Sequence, residues 1–187
     1  MLPTVSTPDT IAELRSLFDG AGSALYFGEA VTEREHALQA AHLAAQEGAG
    51  NDLIIAALLH DVGHLLHGMG EHVADVGIDA HHELVGHAWM SQRFPPAISE
   101  PGRLHVAAKR YLCSKQSGYL AKLSPASAKS LELQGGPMSS AEVEEFEVQP
   151  FWQNALRVRA WDDRAKITGW DVPPFEAYTD QIRKVMK

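Results

Sequence analysis

A histidine–aspartate pair, His60-Asp61, lies inside an almost wholly apolar stretch, LIIAALLHDVGHLL, and His64 follows one turn later. Apolar residues on all sides predict a buried helix, so these polar side chains enter a medium of low dielectric constant. Burying such a group without a partner costs roughly 2–7 kcal/mol. Coordination of a metal ion would remove that cost; the alternative is a pair of hydrogen-bonded polar groups in the core.

Further metal-ligating residue types recur on the other predicted helices, each among apolar neighbours. Together they supply four imidazoles and two carboxylates, a donor set that suits iron, manganese or zinc and lacks the thiolates of structural zinc sites. They exceed what one metal takes while leaving room for substrate, which favours two metals bridged by a carboxylate. The candidate ligands are His36, His60, Asp61, His82, His105 and Asp162.

The remaining histidines are interpreted as surface or loop residues. They are His42, His67, His72, His81 and His87. Because His81 adjoins His82 it remains an alternative ligand, although the pairing His82-Glu83 favours His82. Cys113, the only cysteine, is interpreted as a packed thiol and not as a nucleophile.

The ligand order H…HD…H…H…D resembles the dinuclear branch of the HD superfamily. Within that branch the chain resembles the PhnZ-type phosphonate oxygenases over nearly its whole length, including those that act on 1-hydroxy-2-(trimethylammonio)ethylphosphonate. The stretches that carry the resemblance are YFGEAVTEREHALQAAHLA, AALLHDVGHLL, HVAAKRYLCS and LSPASAKSLELQGGPM. The HD core is common to many hydrolases, whereas Tyr26 and Glu29 ahead of His36, and Lys109 one turn after His105, are more discriminating.

The resemblance implies an oxygenase with two iron ions, Fe(II) and Fe(III), and dioxygen as co-substrate. Asp61 would bridge the irons, and the other five candidate ligands would complete their coordination. Tyr26 would cap an open iron position and Glu29 would hold that lid. The implied substrate is a small zwitterionic hydroxyphosphonate, a 1-hydroxy-2-(trimethylammonio)ethylphosphonate or its 2-amino analogue. Cleavage of its C–P bond would give glycine betaine or glycine together with phosphate.

The resemblance also implies that the phosphonate oxygens are held by Lys109, with His64, Ser127, Gln134 and Arg159 as further contacts. His64 would lie near the anion or behind the metal ligands. The primary amine and the trimethylammonium group remain unresolved as the cationic end of the substrate.

Helical spacing agrees with part of this assignment. Lys109 lies four residues after His105, so both share a helix face. Ser127 opens a predicted helix, whose exposed N–H groups suit an anion, and Arg159 shares a face with Asp162. Each residue also has an ordinary alternative: Lys109 as a surface lysine, Ser127 as a helix cap, Arg159 as an ion-pair partner. Tyr26 would otherwise be core packing.

The elements that position these residues are predicted to be helices throughout, in an all-α, single compact HD-domain helical bundle over residues 1–187. Capping boxes at Thr32/Glu35 and Ser139/Glu142 mark two helix starts, and Asn51 is expected to cap the buried helix. Pro95-Pro96 is expected to end a helix. The predicted helices are 11–18, from 32, from 51, 80–93, 103–112, 115–123, 125–133, from 139, 150–165 and a last one ending at 187, with a loop at 68–79.

Composition limits the alternatives. The net charge of −8 argues against a nucleic-acid partner, because phosphate backbones require a clustered basic surface. No apolar run reaches the roughly 20 residues of a membrane span, and the first ten residues lack the charged and apolar parts of a signal peptide. With the single cysteine, these features predict a cytoplasmic protein.

Two other functions use the same ligands. One is a metal-dependent phosphohydrolase of the HD superfamily, in which metal-bound hydroxide attacks a phosphate ester. The other is an inactive HD domain that senses a nucleotide or another ligand. Tyr26, Glu29 and Lys109 favour the oxygenase over the hydrolase, and the complete ligand set argues against the sensor.

Overall fold

The computed structural model describes residues 9–26, 29–67 and 81–187. Within these ranges the only β pairing is a single bridge between Leu25 and Thr32, so the predicted all-α class is confirmed. The helices in these ranges are α1 (Thr10–Asp19), α2 (Glu33–Gln46), α3 (Asn51–Leu59), α4 (Val62–His67), α5 (His82–Met90), α6 (Pro96–Lys115), α7 (Pro125–Leu133), α8 (Ser140–Glu147), α9 (Trp152–Asp162) and α10 (Thr179–Val185). Short 3-10 segments are Ala21–Ser23, Leu120–Lys122 and Phe175–Tyr178.

The buried HD segment is two helices, not the one helix that the sequence predicts. α3 ends at Leu59 and α4 begins at Val62, with His60 and Asp61 in the turn between them. The His60 ring donates to the carbonyl of Ala57 at 2.8 Å, an acceptor that a regular helix offers to the amide of Asp61. The N-cap of α3 is Gly50 and not Asn51, which is the first helical residue.

Helix α6 is longer than the sequence predicts. It begins at Pro96, with Pro95 as N-cap, and continues to Lys115, so Pro95-Pro96 starts a helix as well as ending the preceding segment. Proline is tolerated at the first helical position because its missing N–H has no intrahelical acceptor there. The predicted helix over 115–123 is wrong: the end of α6 and the 3-10 segment Leu120–Lys122 occupy that stretch.

Other predicted elements agree with the structure. Both capping boxes form, at Thr32/Glu35 and at Ser139/Glu142. The helix predicted over 125–133 is α7, and α9 lies within the predicted 150–165. The loop at 68–79, the residue Ala80, the side chain of His67 and His72 lie outside the described residues.

The helices that carry the candidate ligands pack directly on one another. α6 contacts α3, α5 and α9, while α2 contacts α3 and α9. Their apolar faces form one large buried cluster, and a smaller cluster joins α6 to α8 and α9. The ligand-bearing faces therefore meet in the interior of the bundle. None of the helices in the described ranges is long and apolar enough to cross a membrane.

Helices α4 and α5 approach unusually closely at two glycines. A Cβ atom on Gly63 would lie 1.9 Å from the carbonyl oxygen of His82, and one on Gly86 would lie 3.2 Å from the amide nitrogen of Gly63. Only a residue without a side chain fits such backbone contact. This contact sets the position from which His82 enters the bundle.

Gly63→Ala should therefore lower the free energy of unfolding by about 1–3 kcal/mol, because the added methyl group forces α4 and α5 apart. Chemical denaturation measures this change. Gly50→Ser is the matched control, since a Cβ there meets nothing within 4 Å and serine is accepted at an N-cap. Equal stability of Gly63→Ala and wild type would show that the close approach is not required.

Candidate metal centre and anion site

All six predicted metal ligands are buried and converge in the bundle core. They come from different elements: α2, the turn between α3 and α4, α5, α6 and α9. Five of them form two overlapping groups that share Asp61, and within each group the ligand atoms lie within 4.8 Å of one another. The groups are His36, His60 and Asp61, and Asp61, His82 and His105.

The carboxylate of Asp61 lies between the two groups, and each oxygen faces one of them. Oδ2 is 3.5 Å from Nε2 of His36 and 3.3 Å from Nε2 of His60. Oδ1 is 3.4 Å from Nε2 of His82 and 3.2 Å from Nε2 of His105. A carboxylate in this position can bind two cations at once, one through each oxygen.

Asp162, at the end of α9, joins the first group. Its Oδ1 lies 3.6 Å from Nε2 of His36, and its Oδ2 lies 3.9 Å from Nε2 of His60. The first group therefore offers two imidazoles and two carboxylates, whereas the second offers two imidazoles and the other oxygen of Asp61.

Backbone carbonyls fix the tautomer of three of the imidazoles. An Nδ1–H that donates to a carbonyl leaves Nε2 as a lone-pair donor to a metal. The three Nδ1 contacts are His36 to Ala165 at 2.8 Å, His60 to Ala57 at 2.8 Å and His105 to Gly102 at 2.6 Å.

The convergence of these lone pairs fits a bound cation. The Nε2 atoms of His36 and His60 are 3.2 Å apart, and neither carries a proton when both rings are neutral and donate through Nδ1. Among the described residues, Oδ1 of Asp61 and Oδ1 of Asp162 are buried without a hydrogen-bond partner. Facing lone pairs and unpaired carboxylate oxygens are unfavourable unless a positive charge lies between them.

Both carboxylates are held in their ionised form. Burial alone would raise the pKa of Asp61, but the charge of a protonated His60 and hydrogen bonds from the rings of His105 and His36 keep that pKa well below its usual range when these protons, and not metal ions, face the carboxylate. Burial acts in the same direction on Asp162, yet the guanidinium of Arg159 keeps the pKa of Asp162 low. The centre thus presents two negative charges to a cation.

Arg159 supports Asp162 instead of reaching for an anion. Its Nη1 donates to Oδ2 of Asp162 at 2.7 Å, its Nη2 donates to Asp163, and its Nε donates to the hydroxyl of Tyr119 at 3.1 Å. Tyr119 in turn donates to Asp163. Each of the three nitrogens of Arg159 therefore makes a contact within the protein, which favours the ion-pair alternative; the second N–H groups of Nη1 and Nη2 have no partner in these contacts.

Tyr26 covers the first ligand group. Its hydroxyl donates to Oδ2 of Asp61 at 2.9 Å, and its ring stacks on His36 with centroids 3.9 Å apart. Burial and the nearby Asp61 raise the pKa of Tyr26 well above its usual value, so the phenol stays protonated. Tyr26 is therefore part of the site, and its hydroxyl does more than fill the core.

Lys109 and Ser127 meet on one side of the centre, at helix α7. Nζ of Lys109 donates to Oγ of Ser130 at 2.8 Å, and burial lowers the pKa of Lys109 to about 7. Lys109 is 3% exposed, which excludes the surface-lysine alternative. Ser124, not Ser127, is the side-chain cap of α7, so Ser127 keeps its hydroxyl for another partner.

The other predicted anion contacts lie in less direct positions. His64 stacks on the ligand His82, with ring centroids 3.8 Å apart. Gln134 is the C-cap of α7, and its buried Oε1 has no hydrogen-bond partner among the described residues.

Glu29, which is predicted to hold the Tyr26 lid, lies 3.4 Å, through Oε1, from Nζ of Lys166.

Three relatives match most of the chain. The hydroxymethylphosphonate dioxygenase of Gimesia maris is 44% identical over 191 residues, covering 100% of this chain and 94% of the relative. The [1-hydroxy-2-(trimethylamino)ethyl]phosphonate dioxygenase (glycine-betaine-forming) of Leisingera caerulea is 40% identical over 170 residues, covering 91% and 87%. The chain belongs to the PhnZ-type phosphonate dioxygenase family.

This membership confirms the resemblance that the motifs predict. A third relative, the uncharacterized protein L432 of Acanthamoeba polyphaga mimivirus, is 36% identical over 166 residues, covering 87% of this chain and 75% of the relative. No protein-family model matches the chain.

Position in the structure separates the candidate ligand histidines of this dioxygenase from its other histidines. His82 is buried in the second group, whereas the side chain of His81 is 63% exposed and its backbone is left-handed at φ 46°. His87 contacts Glu100 at 3.0 Å, and His42 packs on Trp170 at 5.3 Å. Of the two adjacent histidines, only His82 faces Asp61.

The sequence did not indicate four residues that contact the candidate site: Tyr119, Ser130, Asp163 and Lys166. Ser130 follows Ser127 by three residues, and this shared helix face was a usable signal. Lys166 follows α9, where no helical spacing connects it to the ligands. The contacts of Tyr119 with Arg159 and Asp163 span about forty residues, so only the fold brings them together.

Asp61→Asn should leave at most one weakly bound metal ion per chain, because an amide cannot supply two anionic oxygens to neighbouring cations. Metal analysis after anaerobic loading with iron(II) and gel filtration measures this. Asp171→Asn, at an exposed position, should bind as much metal as wild type. Two tightly held ions in Asp61→Asn would contradict the shared-carboxylate arrangement.

Proposed function

We propose that this chain is a di-iron dioxygenase that cleaves the C–P bond of a small 1-hydroxyphosphonate. The observation that carries the proposal is the Asp61 carboxylate, whose two oxygens face separate imidazole groups beside the buried Lys109. Family membership supports oxygenase chemistry over the phosphohydrolase and sensor alternatives, which the ligand types alone leave open.

The donor set fits two iron ions. His36, His60, Asp61 and Asp162 would hold one, and Asp61, His82 and His105 would hold the other, which keeps more positions for substrate. When bound, the iron pair supplies the redox chemistry with dioxygen that side chains cannot perform. The protein supplies the ligand geometry, the charges and the exclusion of water.

The phosphonate is proposed to bind on the side of the centre where Lys109 and α7 lie. A bound phosphonate would keep the buried Lys109 in its ammonium form, and the hydroxyl of Ser127 would donate to a phosphonate oxygen. Gln134 and His64 border this region. A charged donor in a dry pocket binds an anion more strongly than it would in water.

Tyr26 is proposed to control access to the first group. Its protonated phenol donates to Asp61 and its ring lies flat on His36. A ligand that approaches the first group must therefore displace the phenol. Tyr26 and Glu29 belong to one segment, because the amide of Glu29 donates to the carbonyl of Tyr26 at 2.7 Å, so they are expected to move together.

Two substrates are consistent with the names of the relatives. One is the zwitterionic 1-hydroxy-2-(trimethylammonio)ethylphosphonate, giving glycine betaine plus phosphate; its 2-amino analogue, which those names do not mention, would give glycine plus phosphate. The other is hydroxymethylphosphonate, which with one dioxygen gives formate plus phosphate. Glu29 lies 3.4 Å from Nζ of Lys166, so it becomes available to a cationic substrate only when that ion pair opens.

We also propose that residues 1–187 form one HD domain that acts in the cytoplasm, where its single thiol, Cys113, stays reduced. Helices from α2 to α9 contribute to the same centre, which supports the assignment of that stretch to one domain.

Phosphate release should require dioxygen in a one-to-one ratio, since the proposed substrates have a direct C–P bond and no ester to hydrolyse. An oxygen electrode with a parallel phosphate assay tests this on hydroxymethylphosphonate and on the 2-amino and trimethylammonio 1-hydroxyethylphosphonates. The Asp61→Asn variant is the negative control and should release no phosphate.

Sustained phosphate release under strict anaerobiosis would contradict the dioxygenase and support the hydrolase. Within the panel, the highest kcat/KM identifies the substrate.

A further inference from the structure

The ammonium group of Lys166 lies at the edge of the candidate site, in contact with both of the segments that border it. Its Nζ is 3.4 Å from Oε1 of Glu29 and donates to Oγ of Ser127 at 3.1 Å. It also lies 5.5 Å from the centroid of the Tyr26 ring. The side chain is 13% exposed, so Lys166 is not an ordinary surface lysine.

The backbone on both sides of Lys166 is fixed by helix α2. The carbonyl of Ala165 accepts from Nδ1 of the ligand His36 at 2.8 Å. The amide and the carbonyl of Ile167 make a pair of hydrogen bonds, of 2.9 and 2.8 Å, with the buried side chain of Gln39. These bonds hold Lys166 in a constant position relative to the metal ligands.

Lys166 and Lys109 approach the same face of helix α7. Lys109 donates to Ser130 and Lys166 donates to Ser127, and these serines are three residues apart. Ser130 also donates to the carbonyl of Ser127 at 3.1 Å. Two ammonium groups therefore converge with the hydroxyl of Ser127, which is a donor set for a tetrahedral oxyanion, while the proton of Ser130 is donated to the carbonyl of Ser127.

The charges around this pair are unequal. Among the described residues, Lys166 has Glu29 as an ion-pair partner, while no carboxylate lies within ion-pair distance of Lys109. A largely buried ammonium requires a counter-charge. A phosphonate between the two lysines would supply it to both, and would make the contact of Lys166 with Glu29 dispensable.

We propose that Lys166 is a second phosphonate-binding residue, and that Glu29 occupies its ammonium group until the phosphonate replaces the carboxylate. This proposal rests on the proposed function and assigns a role to a residue outside the motifs.

A binding cycle with inorganic phosphate, one of the proposed products, tests the exchange without turnover. Calorimetric titration into the iron-loaded protein under anaerobic conditions compares wild type with Lys166→Met, Glu29→Gln and the double variant. Lys166→Met should weaken phosphate binding about tenfold or more, because a buried partner of the anion is lost. Glu29→Gln should tighten binding, because the competing carboxylate is gone, and the double variant should bind like Lys166→Met.

Controls separate this effect from loss of the fold or of the metal. Lys184→Met, at an exposed position on α10, should bind phosphate like wild type, and Lys166→Arg should retain most of the affinity. Iron content is measured for each variant. If Lys166→Met does not fold, Glu29→Gln still tests the competition without changing Lys166.

Unchanged phosphate affinity in Lys166→Met would overturn the proposal, as would a tightening by Glu29→Gln that persists when Lys166 is replaced. Weaker binding in Glu29→Gln would also overturn it. Failure of the dioxygenase assignment would appear separately, as phosphate release without dioxygen, because the binding cycle needs no oxygen chemistry.

Discussion

The buried carboxylate of Asp61 is shared by two groups of imidazoles, and the arrangement of the surrounding helices depends on that sharing. Each oxygen faces two Nε2 atoms at 3.2–3.5 Å. Such a cluster is unfavourable in an apolar interior unless cations neutralise it. Helices α2, α5 and α6 each bring a histidine to this carboxylate, and α9 brings Asp162, so the site is also a point at which most of the bundle is joined.

The groups behind the ligands show how the protein maintains this arrangement. Backbone carbonyls orient three imidazoles, and the bond from His60 to Ala57 lies where α3 stops and the turn with Asp61 begins. Arg159 fixes Asp162 and is itself fixed by Tyr119 and Asp163. Hydrogen bonds of this kind, which groups behind the metal ligands make, set the orientation of the imidazole rings and the basicity of the ligands. Cations held by Asp61 and Asp162 on one side, and the lysines at α7 on the other, would place positive charge around the space between them, a distribution that suits an anionic substrate.

The sequence indicated the ligands because polar residues in apolar helical stretches are conspicuous, and each of the six is buried in the centre. It indicated the all-α class for the same reason, through apolar periodicity. It did not reveal that the helix breaks at His60, where the ring bonds to the carbonyl of Ala57. Nor did it reveal that α6 begins at Pro96, because two adjacent prolines indicate the end of a helix as readily as its start. Lys166 and Tyr119 were missed because their partners are distant in the chain. For Arg159 both a phosphonate contact and an ion pair with Asp162 remained open, because its spacing from Asp162 does not distinguish the two.

Anomalous diffraction at the iron absorption edge, from crystals grown under anaerobic conditions, tests the shared carboxylate most directly. If Asp61 is shared, two iron peaks should appear about 3.5–4 Å apart, one on each side of its carboxylate. One peak should lie beside His36 and His60, and the other beside His82 and His105. A single peak, or two peaks that Asp61 does not bridge, would contradict the account.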